Sequence, residues 1–271
     1  MNQFLKIGFL GCGNLAQSII KGMVEQKVVP AERIYATNRS EGKLTKTAEL
    51  YGIKTMSNND DLVDTVDVVI LAMKPQDLPA ALENLNGIFH DNQLVISLAA
   101  GVTLKTLKKK LPKCRVVRLM PNTPAIISRG VLGYVLSEEN PATESLVEDL
   151  FSPLGYVLKV EDEDQFATLT VSCASGTGFV FELMLYWQEW IEEHGFEPMV
   201  ARRMAVETFL GAAMLAANSQ GTPLEDLLSK VTSKKGITAA GLQSMRELEI
   251  ERALRYSFEK AALRNQELSM E

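Results

Sequence analysis

Cysteine, histidine and aromatic residues are scarce in this chain. Its 271 residues include three cysteines, two histidines and two tryptophans, and aromatic residues make up 7% of the total. Cys12, Cys114 and Cys173 are odd in number and widely spaced, so the sequence predicts no disulfide framework. None of them stands at a metal-ligand spacing from His90 or His194, and we therefore expect no metal site.

Positive charge is not in excess either. The chain has 28 Lys and Arg residues against 34 Asp and Glu residues, which gives a formal net charge of −6. This balance provides no electrostatic reason to expect a nucleic-acid or membrane partner. The amino terminus lacks the basic segment of a signal peptide, and no uninterrupted apolar run reaches membrane-spanning length. We expect a cytoplasmic protein that binds anionic small molecules through local dipoles and a few cations.

Strand and helix patterns alternate over the first part of the chain. Strands are predicted at residues 6–10, 33–37, 67–72, 94–98, 115–119, 130–136 and 156–160, and a helix follows the first of them over residues 14–25. Such alternation is typical of a doubly wound sheet. We therefore predict an α/β Rossmann-type domain over residues 1–161, followed by an all-α domain over residues 162–271.

The change of pattern falls at an acidic run, residues 161–164, which suits a linker or a helix N-terminus. From Phe166 onward the sequence is rich in helix-forming residues. Pro198 suits the first turn of a helix, and Thr222 followed by Pro223 predicts a helix with Thr as its N-cap and Pro at its first position.

A glycine motif directly follows the first predicted strand and opens a helix. It reads Gly11-Cys12-Gly13-Asn14-Leu15-Ala16, the pattern G-x-G-x-x-A. The first glycine permits a tight turn, the second lets the backbone approach a pyrophosphate, and the helix N-terminus offers N–H groups to the phosphates. The motif predicts a dinucleotide site with Gly11, Gly13, Asn14 and Leu15 among its contacts. The alternative is a purely structural turn.

The residues after the second predicted strand select the cofactor. NAD sites usually place Asp or Glu about 20 residues beyond the glycines. This chain instead has Asn38 and Arg39, and a guanidinium suits a 2′-phosphate. We therefore predict NADP(H), with NAD(H) left open as a second cofactor and an ordinary exposed Arg39 as the alternative.

Two proline-containing segments follow later strands at the edge where ligands bind. Ala72, Lys74 and Pro75 belong to the first segment; Met120, Pro121 and Asn122 belong to the second. Proline restricts the residue before it, so these loops have a defined shape, and the polar side chains between the prolines of the second, Asn122 among them, are expected to have free hydrogen-bonding groups. We predict that both contact the cofactor, together with Asn58, whereas a rigid connector is the alternative.

The motifs, taken in chain order, resemble those of the pyrroline-5-carboxylate reductase family. The resemblance is carried by Ile7 to Ala16, Met73 to Pro75, Arg118 to Pro124, Ser175 to Gly178 and Val231 to Thr238. It implies a Rossmann domain and a helical domain that interleaves with a partner's to form dimers, often stacked into rings. The apolar residues Phe179, Phe181, Leu183, Met184 and Trp187 would then be shared between subunits, or would form single-chain core.

The resemblance also implies a substrate site before the last long helix. Ser233, Gly236, Ile237 and Thr238 would bind the substrate carboxylate through backbone N–H groups and a hydroxyl, which is the chemistry of a loop that opens a helix. Ser233 and Thr238 would be the catalytic residues. Thr238 would orient the substrate, and as a hypothesis would relay a proton to its nitrogen.

The implied reaction is NADPH-dependent reduction of L-1-pyrroline-5-carboxylate, a cyclic imine carboxylate, to L-proline. The chain departs from the family on the substrate side. Lys234-Lys235-Gly236 stands where the family usually has Pro-Gly-Gly, and Thr177 to Phe181 stands where it has Ser-Gly-Pro-Ala-Tyr. These departures leave two alternatives open: a related imine or carbonyl reductase with another substrate, and a catalytically silent NADP-binding dimer. Glu163 and Asp164 are expected in solvent, with a place near the imine nitrogen as the lesser alternative.

Overall fold

A computed structural model describes residues 4–85 and 87–270. Over these residues the strands form one eight-stranded sheet in the order β3-β2-β1-β4-β5-β6-β7-β8. The strands are β1 Ile7–Leu10, β2 Ile34–Thr37, β3 Lys54–Thr55, β4 Val68–Leu71, β5 Leu94–Ser97, β6 Arg115–Pro121, β7 Gly130–Leu136 and β8 Gly155–Lys159. The first six are parallel, β7 is antiparallel to β6, and β8 is parallel to β7. The predicted doubly wound sheet is confirmed.

Successive strand residues point to opposite faces of the sheet, and each face is covered by an apolar core. Ile7 and Phe9 pack into one apolar core with helix residues such as Ile19, and Leu10 packs into a second core with Leu62. Every residue of β1, β2, β4 and β5 is buried. This double burial explains why these strands read as continuous apolar runs.

Two details of the sheet differ from prediction. The strand β3 was not expected, because its two exposed residues carry no apolar pattern. The strand β6 continues through Met120 and Pro121, so these residues end a strand and do not follow one. Pro121 is the final residue of this strand.

Helices connect the strands and then continue alone. They are α1 Asn14–Glu25, α2 Glu41–Tyr51, α3 Asn59–Thr65, α4 Leu78–Asn84, α5 Leu104–Lys110, α6 Pro141–Phe151, α7 Glu163–Leu169, α8 Gly176–Glu193, α9 Pro198–Asn218, α10 Leu224–Lys230, α11 Ile237–Glu247 and α12 Ile250–Met270. A π-helical turn, Thr170–Ser175, joins α7 to α8.

The predicted helix starts have mixed outcomes. Pro198 is the first residue of α9, as expected. The start predicted at Thr222 is wrong by one residue: Pro223 is the N-cap and α10 begins at Leu224. The acidic run is a helix N-terminus, where Asp162 accepts hydrogen bonds from the N–H groups of Asp164 and Gln165. A carboxylate at this position also interacts favourably with the helix dipole.

The chain divides into two compact units. One contains the described residues up to Ser175 together with those from Ala261 onward, and the other is Gly176–Lys260. Compact packing and sequence pattern divide a chain by different criteria, and the domain boundary near residue 162 stays a prediction. Within the described residues, the helical stretch Glu163–Glu193 is long and apolar enough to cross a membrane by length and composition, and 17% of its most apolar window is buried.

Candidate functional site

The glycine turn after β1 has a conformation that only glycine adopts easily. Gly11 has a φ of +101°, and its N–H donates to the Thr37 carbonyl at 3.1 Å. A Cβ at this position would lie 2.9 Å from the Ala72 carbonyl oxygen and 2.9 Å from the Met73 nitrogen. The turn therefore brings the ends of β1, β2 and β4 together at one edge of the sheet.

Gly13 leaves space where Gly11 has none. It is the N-cap of α1, and a Cβ at this position would have no neighbour within 4 Å among the described residues. The helix has no side-chain cap and no acidic residue in its first turn. The N–H groups of Asn14, Leu15 and Ala16 thus have no partner within the helix, and with the helix dipole they suit an anion such as a diphosphate.

The Cys12 thiol is compatible with such an anion. Burial raises the pKa of this thiol, and a hydrogen bond from its Sγ to Thr47 Oγ1 only partly offsets the effect. The group is therefore neutral near pH 7 and places no negative charge beside the α1 N-terminus.

Asn38 and Arg39 have different environments. Asn38 Oδ1 accepts from the Cys12 N–H at 3.2 Å, and its Nδ2 donates to the Ser40 carbonyl at 2.9 Å, so its side chain supports the glycine turn. Arg39 is exposed, and among the described residues it has no hydrogen bond or ion pair. Its guanidinium is free to receive a phosphate group.

Two other predicted cofactor contacts lie on neighbouring connections. Lys74 is exposed and extended, with a ψ of 145°, immediately before Pro75, which begins a 3₁₀ turn. Asn58 is the N-cap of α3, and its Oδ1 accepts from the Asp61 N–H at 2.8 Å. The Asn58 side chain is therefore already used in capping a helix.

Asn122 does not have the free side chain that the sequence predicts. Its Nδ2 donates to the Cys173 carbonyl at 3.2 Å, and its Oδ1 accepts from the Val131 N–H at 2.8 Å. The side chain is only 8% exposed. It links the end of β6 to the start of β7 and to the π-helical turn, so the segment Met120–Asn122 is held rigidly at the edge of the sheet.

Sequence reasoning missed a buried ion pair between Arg118 and Glu163. Arg118 Nη1 donates to Glu163 Oε2, and the guanidinium lies 4.2 Å from the centre of the Phe166 ring. Burial lowers the pKa of Arg118, and the charge of Glu163 opposes that shift. Among the described side chains, Arg118 Nε is buried without a hydrogen-bond partner. Asp164 is exposed, as expected, whereas the Glu163 side chain is 36% exposed and is paired with Arg118. The signal for the pair was the charged residue inside an apolar strand pattern.

The predicted substrate residues lie in the second compact unit. Gly236 is the N-cap of α11, its N–H donates to the Ser233 carbonyl at 3.0 Å, and Thr238 is the second residue of the helix. The helix has no side-chain cap and no acidic residue in its first turn. Ile237, the first residue of the helix, is 95% exposed.

The two lysines that depart from the family pattern have unequal conformations. Lys235 has a φ of +59°, in the left-handed region, whereas Lys234 is outside it. A side chain at positive φ costs about 1–2 kcal/mol. The position is thus one that glycine would occupy without strain.

The described part of the first unit also contains a groove of about 630 Å³ beside β8 and α7. The residues that line it include Tyr156, Leu158 and Leu169, together with Val131 and Cys173. The last two residues are the backbone partners of Asn122. The groove therefore begins next to the rigid segment at the end of β6.

Comparisons with known proteins cover the whole chain. The family described as "NADP oxidoreductase coenzyme F420-dependent" matches residues 6–101, and the family described as "Pyrroline-5-carboxylate reductase dimerisation" matches residues 163–268. Pyrroline-5-carboxylate reductase 1 of Bacillus spizizenii is 34% identical over 97% of this chain and 89% of its own length.

Solved structures agree with these relatives. A pyrroline-5-carboxylate reductase from Coxiella burnetii has a TM-score of 0.90 and 32% identity, covering 98% of each chain. The Plasmodium falciparum pyrroline carboxylate reductase, solved with NADP bound, has a TM-score of 0.90 and 21% identity, covering 99% of this chain and 100% of its own. The latter likeness concerns the fold alone.

Proposed function

The chain belongs to the pyrroline-5-carboxylate reductase family, and on that premise we propose that it reduces L-1-pyrroline-5-carboxylate to L-proline with NADPH. It is an NAD(P)H-dependent oxidoreductase that acts on a C=N bond, and the reaction is the last step of proline biosynthesis. The predictions of fold, family and activity are confirmed by these comparisons.

One feature of the described structure carries the proposal: two helices begin with glycine N-caps and have neither a capping side chain nor an acid in the first turn. These are α1 after Gly13 and α11 after Gly236. Each N-terminus offers unpaired N–H groups and the positive end of a helix dipole. The first suits the diphosphate of a dinucleotide, and the second suits the carboxylate of an amino-acid-sized substrate.

The residues of the first unit fit NADP(H). The open space at Gly13 admits the diphosphate, and the unpaired Arg39 would hold the 2′-phosphate. Ala72, Lys74 and Pro75 would contact the middle of the cofactor. Met120, Pro121 and Asn122 would contact the cofactor from the end of β6. Bound there, the reduced nicotinamide supplies hydride to the imine carbon.

The protein's own contribution is mainly orientation. When a C–H bond forms at the imine carbon, the electrons of the C=N bond move to nitrogen, which becomes an amine nitrogen with its proton. A protonated imine is already electrophilic, so holding it in place accounts for much of the rate. In our proposal the N–H groups of Ile237 and Thr238 bind the carboxylate, and Gly236, whose own N–H donates to the Ser233 carbonyl, shapes the loop beside it. The Ser233 and Thr238 hydroxyls orient the ring, and Thr238 is the hypothetical proton relay.

The enzyme is a homo-oligomer, and we propose a dimer or a ring of dimers. Part of the predicted apolar stripe on α8 is packed within the chain: Phe179 lies 5.5 Å from Phe258, and Trp187 is edge-on to Phe209 at 5.2 Å. Phe181 is 58% exposed, and it falls in the region matched by the dimerisation family. We also propose a cytoplasmic location, with this apolar helix serving as a subunit interface.

NADPH oxidation by the purified protein tests the function. The substrates are L-1-pyrroline-5-carboxylate and a six-membered ring imine carboxylate, each assayed with NADPH and with NADH. Rapid turnover of the five-membered imine with proline as product supports the proposal. A Thr238→Ala variant that retains wild-type turnover would remove the role given to its hydroxyl.

The departure at Lys234 and Lys235 favours one second candidate, a related imine reductase with a different substrate. Two ammonium groups beside the α11 N-terminus suit a substrate with more negative charge than one carboxylate. Preference for another imine in the same assay would support this alternative. Stoichiometric NADPH binding without oxidation by any imine would instead indicate a silent dimer.

A further inference from the structure

The ion pair between Arg118 and Glu163 joins parts of the fold that lead to the ligand edge. Arg118 is on β6, two residues before Met120, and its side chain is 6% exposed. Glu163 is the first residue of α7, and its side chain is 36% exposed. The guanidinium is held between this carboxylate and the Phe166 ring. The position of β6 is thus tied to the start of α7.

The same carboxylate also holds the next connection of the sheet. Glu163 Oε1 accepts from the Leu104 N–H at 2.7 Å, and Leu104 is the first residue of α5. Glu163 therefore also holds the start of α5, to which the segment after β5 leads. Strands β5 and β6 are parallel neighbours, with Ser97 paired to Arg118. One side chain consequently connects the segment that leaves β5, at the edge where open α/β sheets bind ligands, to the middle of the neighbouring strand β6.

A second connection lies farther along the same two elements. Asn122 donates to the Cys173 carbonyl in the π-helical turn that continues α7. Between the two connections, Met120 packs with Phe166 and Leu169 in a small apolar core. The segment Met120–Asn122 is therefore fixed on both sides, by Glu163 through Arg118 and by Cys173 through Asn122. Such π turns are frequent at functional sites.

We propose that Arg118 and Glu163 are positioning residues for hydride transfer. They hold the Met120–Asn122 segment and the β5–α5 connection in one arrangement, against which the nicotinamide is aligned. Burying charges is a poor way to gain stability, since desolvation offsets the attraction. A buried ion pair is useful for alignment, however, because a displacement of the reacting groups by about 1 Å changes the rate by about 100-fold. The inference rests on the proposed function.

The test compares single-turnover hydride transfer in four proteins: wild type, Glu163→Gln, the double variant Arg118→Gln with Glu163→Gln, and Arg115→Gln. Glu163→Gln keeps the shape of the side chain and, because Glu163 is partly exposed, is the variant most compatible with folding. Arg115 is the matched control. It is the first residue of β6, at the end away from Met120, and it donates to the Asn92 carbonyl and Thr143 Oγ1. NADPH and its 4-deuterated form are used with L-1-pyrroline-5-carboxylate, and NADPH affinity and thermal stability are measured alongside.

Glu163→Gln is expected to slow hydride transfer by about 10- to 100-fold. Its NADPH affinity should change by less than about threefold, because the diphosphate and ribose sites are untouched. The isotope effect on turnover should rise, since the chemical step becomes rate-limiting. The double variant should transfer hydride at about the same rate as Glu163→Gln, because the two residues act as a unit. Arg115→Gln should transfer hydride at the wild-type rate.

Two results would overturn the inference. In the first, folded Glu163→Gln transfers hydride as fast as wild type; in the second, its loss is wholly explained by weaker NADPH binding. Failure of the proposed function looks different, because wild type and Arg115→Gln would then fail to oxidise NADPH with this imine. In that case the positioning role falls together with the function on which it rests.

Discussion

Alanine substitutions at the two glycines of the turn before α1 should affect different properties: Gly11→Ala the stability of the fold, and Gly13→Ala the binding of the cofactor. Gly11 has a φ of +101°, and a Cβ there would lie 2.9 Å from two backbone atoms. Backbone strain of this kind costs about 1–3 kcal/mol, and the contact with immovable backbone adds about 1 kcal/mol or more. Gly11→Ala is therefore expected to lower the free energy of unfolding by about 2–4 kcal/mol.

Gly13→Ala should leave the free energy of unfolding nearly unchanged and weaken NADPH binding. Gly13 has a φ of −76°, and nothing lies within 4 Å of its hypothetical Cβ, so alanine fits without strain. Alanine is a poorer N-cap than glycine, which lowers the free energy of unfolding, but it also reduces the entropy of the unfolded chain, which raises it. Each effect is less than about 1 kcal/mol, so the two nearly cancel. The added methyl group, however, occupies the space that a diphosphate would use. Loss of one charge-assisted hydrogen bond of about 1.5–3 kcal/mol corresponds to a decrease of about 10- to 100-fold in NADPH affinity.

Urea unfolding at fixed protein concentration and titration of NADPH fluorescence measure the two quantities. Each variant is the other's control, since both add one methyl group to the same turn. Wild-type NADPH affinity in Gly13→Ala would refute the placement of the diphosphate at the α1 N-terminus. Wild-type stability in Gly11→Ala would refute the strain argument.

Three further outcomes are expected. Lys235→Gly should raise the free energy of unfolding by about 0.5–1 kcal/mol by removing strain at a φ of +59°, whereas Lys234→Gly should lower it or leave it unchanged in the same urea experiment. Arg39→Ser should weaken NADPH binding by about 10- to 100-fold and leave NADH binding nearly unchanged; an equal loss for both cofactors would contradict the 2′-phosphate contact. Burial and the Glu148 carboxylate raise the pKa of Tyr134. The stability that this shift contributes is fully present below the ordinary tyrosine pKa of about 10 and is lost as the pH rises above it, because the tyrosine then ionises in the unfolded state before it does in the folded one. Wild-type stability should therefore fall there more steeply than that of Tyr134→Phe, by about 1.4 kcal/mol per pH unit, and parallel pH curves would contradict the assignment.

The sequence was most informative where one residue type is required by local geometry. Gly11 and Gly13 were predicted from spacing alone, and the structure places a left-handed turn at the first and open space at the second. The helix after them was predicted over its observed range, Asn14–Glu25. These features depend on neighbours within a few residues, which a sequence pattern records directly.

Side-chain partners were predicted less well. Asn122 was expected to have free hydrogen-bonding groups, but its amide is shared between Cys173 and Val131. Glu163 was expected in solvent, but it pairs with Arg118, 45 positions earlier in the chain. No local pattern encodes such contacts, because they exist only after β6 and α7 have packed together.

Sequence alone therefore determined the alternation of strands and helices, the dinucleotide motif and the family. Local propensities, apolar periodicity and short glycine motifs act over a few residues and persist whatever the remainder of the chain does. Tertiary structure decided which polar groups are engaged and which are free: it engaged Asn58, Asn122 and Glu163, and it left Arg39 exposed with no partner among the described residues. It did so because a buried polar group must find a partner wherever packing supplies one, however distant in sequence that partner is.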